Sequence, residues 1–522
     1  MMRRIFIIMT FGLLGVGYTA GAATLITGVA SITLENADPA FPTSGGEIRI
    51  GDIRGGGSIT VDDGTVVELS EGSDPSARVS GADLNVGRRG PFASSLSIEG
   101  VGSRVQLNGA DFSPVQGWIG RDGATGQVTI RDGGALAFVN TQTYVEEANE
   151  VGAQLAVGAG VPAGFGALTI EDGTLLLSSN QFWSFLWFGR EEGTTGTGRV
   201  SGPSSEIALL APNGNARMTV AQDTGSFGSL IVDEGATVTV SGDDSLFIIA
   251  SSAGSTGVTI VADGSEVIVS GATRGSVQVG AAFADFGKPE AGNGTLIVTG
   301  AGSTVSASGS IIVGSPLAFG GGPGSGALIV SDSGNVTAPV VYVGEGGILS
   351  GDGGSISGDV IVDGGVVAPG TSPGVMSIFG DLNVVSGMLQ FEIVGPTVGL
   401  IDQLFVSGDL LTPSGLSIEI RFLDGYVPAS DATFDILSIG GAAEIFATPD
   451  LIDLSILGLA GASGFDISIR NGMLSLAGPD FGSPGGTPAP VPLPAGAALL
   501  ATGLMTFGAV RRRKIRCIVH PT

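Results

Sequence analysis

The 522-residue chain is nearly free of cysteine, histidine and lysine: Cys517 is its one Cys, His520 its one His, and its lysines are Lys288 and Lys514. Cys517 and His520 both fall at the extreme C-terminus. The body of the chain therefore lacks the residues for a disulfide, for a Ser-His-Asp or Cys-His nucleophile, and for a His- or Cys-ligated zinc or iron site. Schiff-base chemistry would rest on Lys288 alone. Charge is scarce as well, at 14 % of residues against roughly 25 % in an average protein. What charge there is runs one way, with 22 basic against 49 acidic residues and a formal −27. That balance excludes electrostatic attraction to nucleic acid or to anionic lipid surfaces. Aromatic residues reach only 6 %.

What the chain has instead is glycine, 91 residues of it, and 43 % apolar residues. No Gly-X-Y period occurs, so it is not collagen-like, and the apolar content is too high for a disordered acidic chain. A core must bury that material. Length alone allows two to four domains.

The two ends read as targeting segments. Residues 1–22 carry Arg3 and Arg4, the apolar run Ile5 to Val16 and the small residues Ala20-Gly21-Ala22, which together form the pattern of a secretory signal peptide. Near the other end, Ala495 to Val510 is uncharged and precedes the basic cluster Arg511, Arg512, Arg513 and Lys514. A helix over that stretch reaches about 24 Å, slightly short of the roughly 30 Å hydrocarbon core. The positive-inside rule leaves the tail 517–522 cytoplasmic and the body outside. Seven of the 22 basic residues lie in these ends, so the body carries a formal −34.

Directly before the apolar stretch stands Val491-Pro492-Leu493-Pro494-Ala495. This motif, the apolar segment and the basic cluster, over 491–516, resemble the VPLPA variant of the PEP-CTERM sorting signals of Gram-negative bacteria. The resemblance implies recognition by an exosortase, a membrane cysteine protease that cuts near the motif. It also implies transient anchoring in the inner membrane and delivery to the cell surface or to extracellular polysaccharide. The tail Ile515 to Thr522 extends past the point where such signals usually stop.

Between the ends, the chain repeats itself. Leu84-Asn85-Val86-Gly87 recurs as Gly117-Trp118-Ile119-Gly120, Leu155-Ala156-Val157-Gly158, Leu186-Trp187-Phe188-Gly189 and onward to Val341-Tyr342-Val343-Gly344. The period is about 32 residues, with a second Val/Ile/Leu/Thr-rich element between neighbours. Period-two alternation and the near absence of helix signals predict short strands half-buried on one face. Stacked at about 4.8 Å per coil, such strands bury one continuous apolar column that no single repeat can bury alone. The expected fold is all-β: a parallel, right-handed β-helix solenoid over 23–346, followed by a short C-terminal transmembrane sorting helix. The repeats resemble those of autotransporter passengers and of other PEP-CTERM proteins. Within 347–477, Val367-Ala368-Pro369-Gly370-Thr371-Ser372-Pro373-Gly374 and Asp402 to Gly408 resemble the passenger segment that continues and caps such a helix. A Pro/Gly linker fills 478–490.

Three kinds of candidate site stand out. Trp118, Trp187 and Tyr342 share one register position, the second between two inward apolar residues, and Trp183 and Phe185 have the parity of Trp187. Outward aromatic rings suit the apolar faces of sugars; a covering loop or a bulge is the competing reading. Asp-Gly pairs at 63–64, 132–133, 172–173, 263–264 and 363–364 read as turns in which Gly is the left-handed residue, or as a carboxylate ladder holding Ca²⁺. Neither an EF-hand loop nor a GGxGxD nonapeptide accompanies them, so no cofactor is expected. The acidic pairs Asp62-Asp63, Glu146-Glu147, Glu191-Glu192 and Asp243-Asp244 would have to serve as acid and base in a polysaccharide hydrolase or lyase. Adjacent strand residues face opposite ways, however, so such pairs read as acidic surface. The favoured function is a non-enzymatic adhesin or envelope and biofilm-matrix component; the alternative is a carbohydrate-active β-helix enzyme using Asp, Glu and Arg.

Overall fold

The computed structural model describes residues 23–27, 32–35 and most of 47–478. Residues 1–22 and 479–522, and internal segments including 71–81, 142–151, 282–291 and 316–323, lie outside the described residues. The signal peptide, the sorting motif Val491 to Ala495 and the basic cluster all fall there. Among the described residues there are 37 strands and no helix.

The strands form three parallel ladders. Each turn of chain contributes one strand to each ladder in fixed order, as in Thr125–Arg131, Ala135–Asn140 and Gly152–Ala159. In the first ladder, thirteen parallel pairings stack fourteen rungs from Ser58–Val61 to Ile452–Leu457. At about 4.8 Å per rung the stack is roughly 60 Å long. The pairing crosses residue 347 without a break, so the repeats and the passenger-like segment share one solenoid. Coil length does change there. The bond from Arg199 to Asp233 in the next coil spans 34 residues, whereas that from Asp381 to Asp359 spans 22.

Antiparallel strands cover the first two ladders at the N-terminal end of the stack and the second ladder at the C-terminal end. Ala23–Thr27 and Ile32–Glu35 pair antiparallel with Val66–Ser70 and Ser58–Val61. Met473–Ala477 pairs antiparallel with both Thr433–Ile439 and Asp466–Arg470. Reversing the strand direction interrupts the parallel template that an open solenoid end would offer to another chain.

Inside, side chains stack in register. One second-ladder row runs Leu107, Phe138, Leu177, Leu209, Val240 and Val269, all buried. Each such side chain is worth roughly 1.5–3 kcal/mol of apolar burial. Large residues are matched by missing ones: a Cβ on Gly117 would lie 2.7 Å from Phe138 Cζ, and one on Gly198 would strike the ring of Phe188. Close packing of this kind leaves no room for a methyl group.

The first two ladders alternate as expected, with Thr174–Ser179 buried at every second residue. The third departs from the expectation of one buried face. Within Trp183–Phe188 the residues from Ser184 on, and the end of Thr237–Ile249, are buried on both sides. The sequence carries this as unbroken runs, Phe185-Leu186-Trp187-Phe188 and Leu246-Phe247-Ile248-Ile249, the pattern of doubly buried strands.

Candidate functional site

The third ladder ends at one tight corner in every coil. Gly87, Gly120, Gly158 and Gly189 are left-handed there, with φ of 73°, 71°, 75° and 74°; Ala221 and Ala250 take the same conformation. Gly344, the last member of the repeated motif, does not, and Gly346 takes that role at φ 71°. The N–H groups of Gly87, Gly189, Ala221 and Ala250 donate to the preceding coil, as Gly189 N does to Val157 O at 2.8 Å. Abutting this column, Gly126, Gly166, Gly196, Gly228, Gly257, Gly294 and Gly326 stack in the first ladder. A Cβ on Gly196 would lie well under 3.0 Å from backbone atoms of Val157, Phe188 and Gly189.

The turns between the first and second ladders correct the expected Asp-Gly chemistry. At 63–64, 132–133 and 263–264 the Asp is left-handed as well as the Gly. The N–H two residues beyond the Asp donates to the carbonyl before it, as Thr65 does to Asp62 O at 2.9 Å. Two left-handed central residues make a type I′ turn. At 172–173 only Asp172 is left-handed; 363–364 lies instead at the corner between the third and first ladders, with only Gly364 left-handed. The carboxylates thus sit one per coil on separate corners. Among the described residues no three His, Cys, Asp or Glu side chains come together to hold a metal ion.

Inter-coil caps, which sequence reasoning missed, hold these corners. Buried Ser103, Ser205, Ser265 and Ser303 accept from backbone N–H groups of the preceding coil, at Gly64, Asp172, Gly235 and Gly264 respectively. A second set of caps, made by Asp, stands at the corner between the second and third ladders after residue 347 and accepts from the following coil. Asp359 accepts from Asp381 N at 2.9 Å, Asp381 from Asp409 N at 2.7 Å, and Asp409 from Ala442 N at 2.6 Å. Asp402, 2 % exposed, joins the two passenger-like motifs: its oxygens accept from Gly374 N and Glu392 N, each at 2.7 Å. Burial pushes its carboxyl up to about 8, against the pull of those two donors. The only sequence signal was the co-occurrence of the two motifs.

The aromatic candidates do share a register. Trp118, Ala156 and Trp187 stand on one outward row, which continues through Thr219, Ile248, Gln278 and Ile312 to Tyr342. Tyr342 lies five coils from Trp187, roughly 24 Å along the stack, so it forms no common patch with the tryptophans. Burial raises its phenol pKa, with Asp363 adding to the shift. Trp118 and Tyr342 are half-buried, whereas Trp187 is only 6 % exposed. Trp187 therefore presents no open ring face, which corrects the expectation of exposed stacked rings. The Arg190 guanidinium lies 4.5 Å from the Trp187 ring centroid and Arg121 lies 4.6 Å from that of Trp118. Phe185 packs at 4.9 Å from Trp183 and 5.2 Å from Trp187. Trp183 is the exposed ring, at 41 %.

Acidic pairs are engaged with neighbouring coils. Asp244 meets Arg274 through two bonds of 2.7 and 2.8 Å, and Asp243 accepts from Thr273 Oγ1. Glu191 accepts from Gly160 N and pairs with Arg190 at 3.3 Å. Glu146-Glu147 and Lys288 lie outside the described residues.

These ladders, corners and caps define the chain as an all-β, parallel-stranded solenoid. No family model and no curated protein sequence matches it.

Proposed function

We propose that the protein is an exported, surface-sorted, non-enzymatic β-helix acting as an adhesive or structural element of the cell envelope or biofilm matrix. In this reading the body crosses the inner membrane of a Gram-negative bacterium and is held by residues 495–510. An exosortase-type protease then acts at Val491 to Ala495, and the rod passes to the surface or to extracellular polysaccharide. The coils wind right-handed, the hand that parallel strand crossovers favour.

The observation that carries the proposal is the unbroken stack: fourteen rungs in register, whose carboxylates serve corners and inter-coil pairs. A stiff rod of that build holds binding faces away from its point of attachment, and the Pro-rich linker 478–490 adds reach. The test is cell fractionation with C-terminal mapping of the exported protein, with Val491 to Ala495 intact or replaced. The intact chain should lose its tail and reach the surface, and the replaced chain should stay in the inner membrane. Persistence of the full tail at the inner membrane in both would overturn the sorting argument.

A further inference from the structure

At the corner between the third and first ladders, three rows of residues alternate large and small from coil to coil. The first is Trp118, Ala156, Trp187 and the second Arg121, Ala159, Arg190, where Arg121 N donates to Gly87 O and Arg190 N to Gly158 O in equivalent places. The third is Phe165, Thr195, Phe227, Thr256 in the first ladder. The rows are out of phase. Arg121 and Arg190 lead into Thr125 and Thr195, while Phe165 and Phe227 belong to the coils between and beyond. Along this edge the chain therefore presents Arg, Phe, Arg, Phe at successive steps of about 4.8 Å. Phe165 and Phe227 are 39 % and 40 % exposed, and Phe165 N donates to Ala124 O beside Arg121.

From this alternation we infer that the edge binds an extended β-linked polysaccharide carrying a carboxylate on every second sugar. The inference rests on the polysaccharide-binding reading above and names the ligand class. Like groups recur every two coils, about 9.6 Å, close to the length of one disaccharide unit in an extended 1,4-linked pyranose chain. A neutral sugar lays its apolar face on each Phe, and each acidic sugar meets an Arg. Trp118 and Trp187 serve beneath the guanidinium groups as supports, holding them by cation–π contact. Arg121 pairs with Asp122 at 3.4 Å and Arg190 with Glu191 at 3.3 Å, and Arg89 lies 3.8 Å from Asp122. These pairs are partly exposed and weak enough for an incoming carboxylate to compete.

The test is calorimetric titration of the full chain with three probes: an oligosaccharide alternating glucuronate and N-acetylglucosamine, an oligogalacturonate charged on every ring, and neutral cellohexaose. The alternating probe should bind most tightly. Arg121→Gln with Arg190→Gln should weaken it about tenfold or more, and so should Phe165→Thr with Phe227→Thr. Thr is the native residue at positions 195 and 256 of the same row, so the second variant keeps the fold, which its melting curve verifies. Equal binding of cellohexaose, or unchanged binding by either variant, overturns the ligand class and leaves the polysaccharide reading standing. Oligogalacturonate binding as tightly as the alternating probe overturns the two-coil match. Binding of none of the three overturns both.

Discussion

Gly196 and Gly193 lie three residues apart, and replacing each with Ala separates two ways in which a coil depends on glycine. Gly196 needs no left-handed backbone, but an added Cβ would press on the carbonyl oxygen of Val157, the carbonyl carbon of Phe188 and the N–H of Gly189. Those are backbone atoms that cannot rotate away, so relief requires moving one coil against the next and loosening the 2.8 Å bond from Gly189 N to Val157 O. Overpacking costs roughly 1–3 kcal/mol and a weakened buried hydrogen bond about 1 kcal/mol more, so Gly196→Ala should cost about 3 kcal/mol. Gly193 is left-handed at φ 70°, yet its nearest neighbour would be Ala163 Cβ at 3.7 Å. Only the conformational cost of roughly 1 kcal/mol applies there. A stack of coils does not unfold in one step, so the assay is hydrogen exchange at the amides of Gly189 and Phe227. Gly196→Ala should raise their opening constants about thirtyfold more than Gly193→Ala does, the equivalent of about 2 kcal/mol. Equal effects, or a larger effect at Gly193, would refute the claim that this corner is closed by backbone contact.

Two further outcomes follow from the caps. Burial raises the folded pKa of Asp402 to about 8, above the unfolded value of about 3.9, so the protonated form is favoured by folding. Its contribution is present below about pH 4 and is lost as pH rises through about 8; thermal melts across that window should show the C-terminal coils weakening, and Asp402→Asn should remove that component of the slope. Ser265→Ala removes the Oγ that accepts from Gly235 and Ala236 N–H at 3.0 and 3.1 Å, leaving Ala236 only its longer bond to Asp233 O at 3.3 Å. It should cost roughly 1–3 kcal/mol, read as faster exchange at those two amides with the coils beyond unchanged.

The ladders were legible because strand alternation and the 32-residue period are local signals, and Gly-terminated motifs such as Leu186-Trp187-Phe188-Gly189 mark where each coil turns. The contraction to coils of about 20 residues between 347 and 388 was not legible, since it covers too few coils to leave a periodic trace, and the later coils lengthen again. A different limit applies to the candidate site. Trp118 and Trp187 could be placed on one row by counting, but whether a row is open depends on what packs over it. The run Phe185-Leu186-Trp187-Phe188 already carried a warning, because a strand with one wet face does not place four large apolar residues in sequence. Arg121 and Arg190 went unnoticed because each looks like a solvated corner until the register puts them two coils apart.

The acidity of the body bears directly on how the arginine edge can work. A formal −34 repels an acidic polysaccharide from any direction, whereas Arg121 and Arg190 attract it only at contact. Screening separates the two: at about 0.01 M salt the Debye length is roughly 30 Å, so the whole rod's charge acts, while at about 0.15 M it is roughly 8 Å. Raising salt over that range should therefore suppress the repulsion before it weakens the short Arg–carboxylate contacts, and binding should first tighten. Toward about 1 M, where the Debye length falls to roughly 3 Å, the contacts are screened in turn and binding should weaken. A maximum at intermediate ionic strength, measured by titration with the alternating acidic oligosaccharide, is the expected signature of a cationic strip on an anionic rod. A monotonic fall from the lowest salt would mean that the body charge plays no part, and a monotonic rise would mean that the guanidinium groups do not carry the binding.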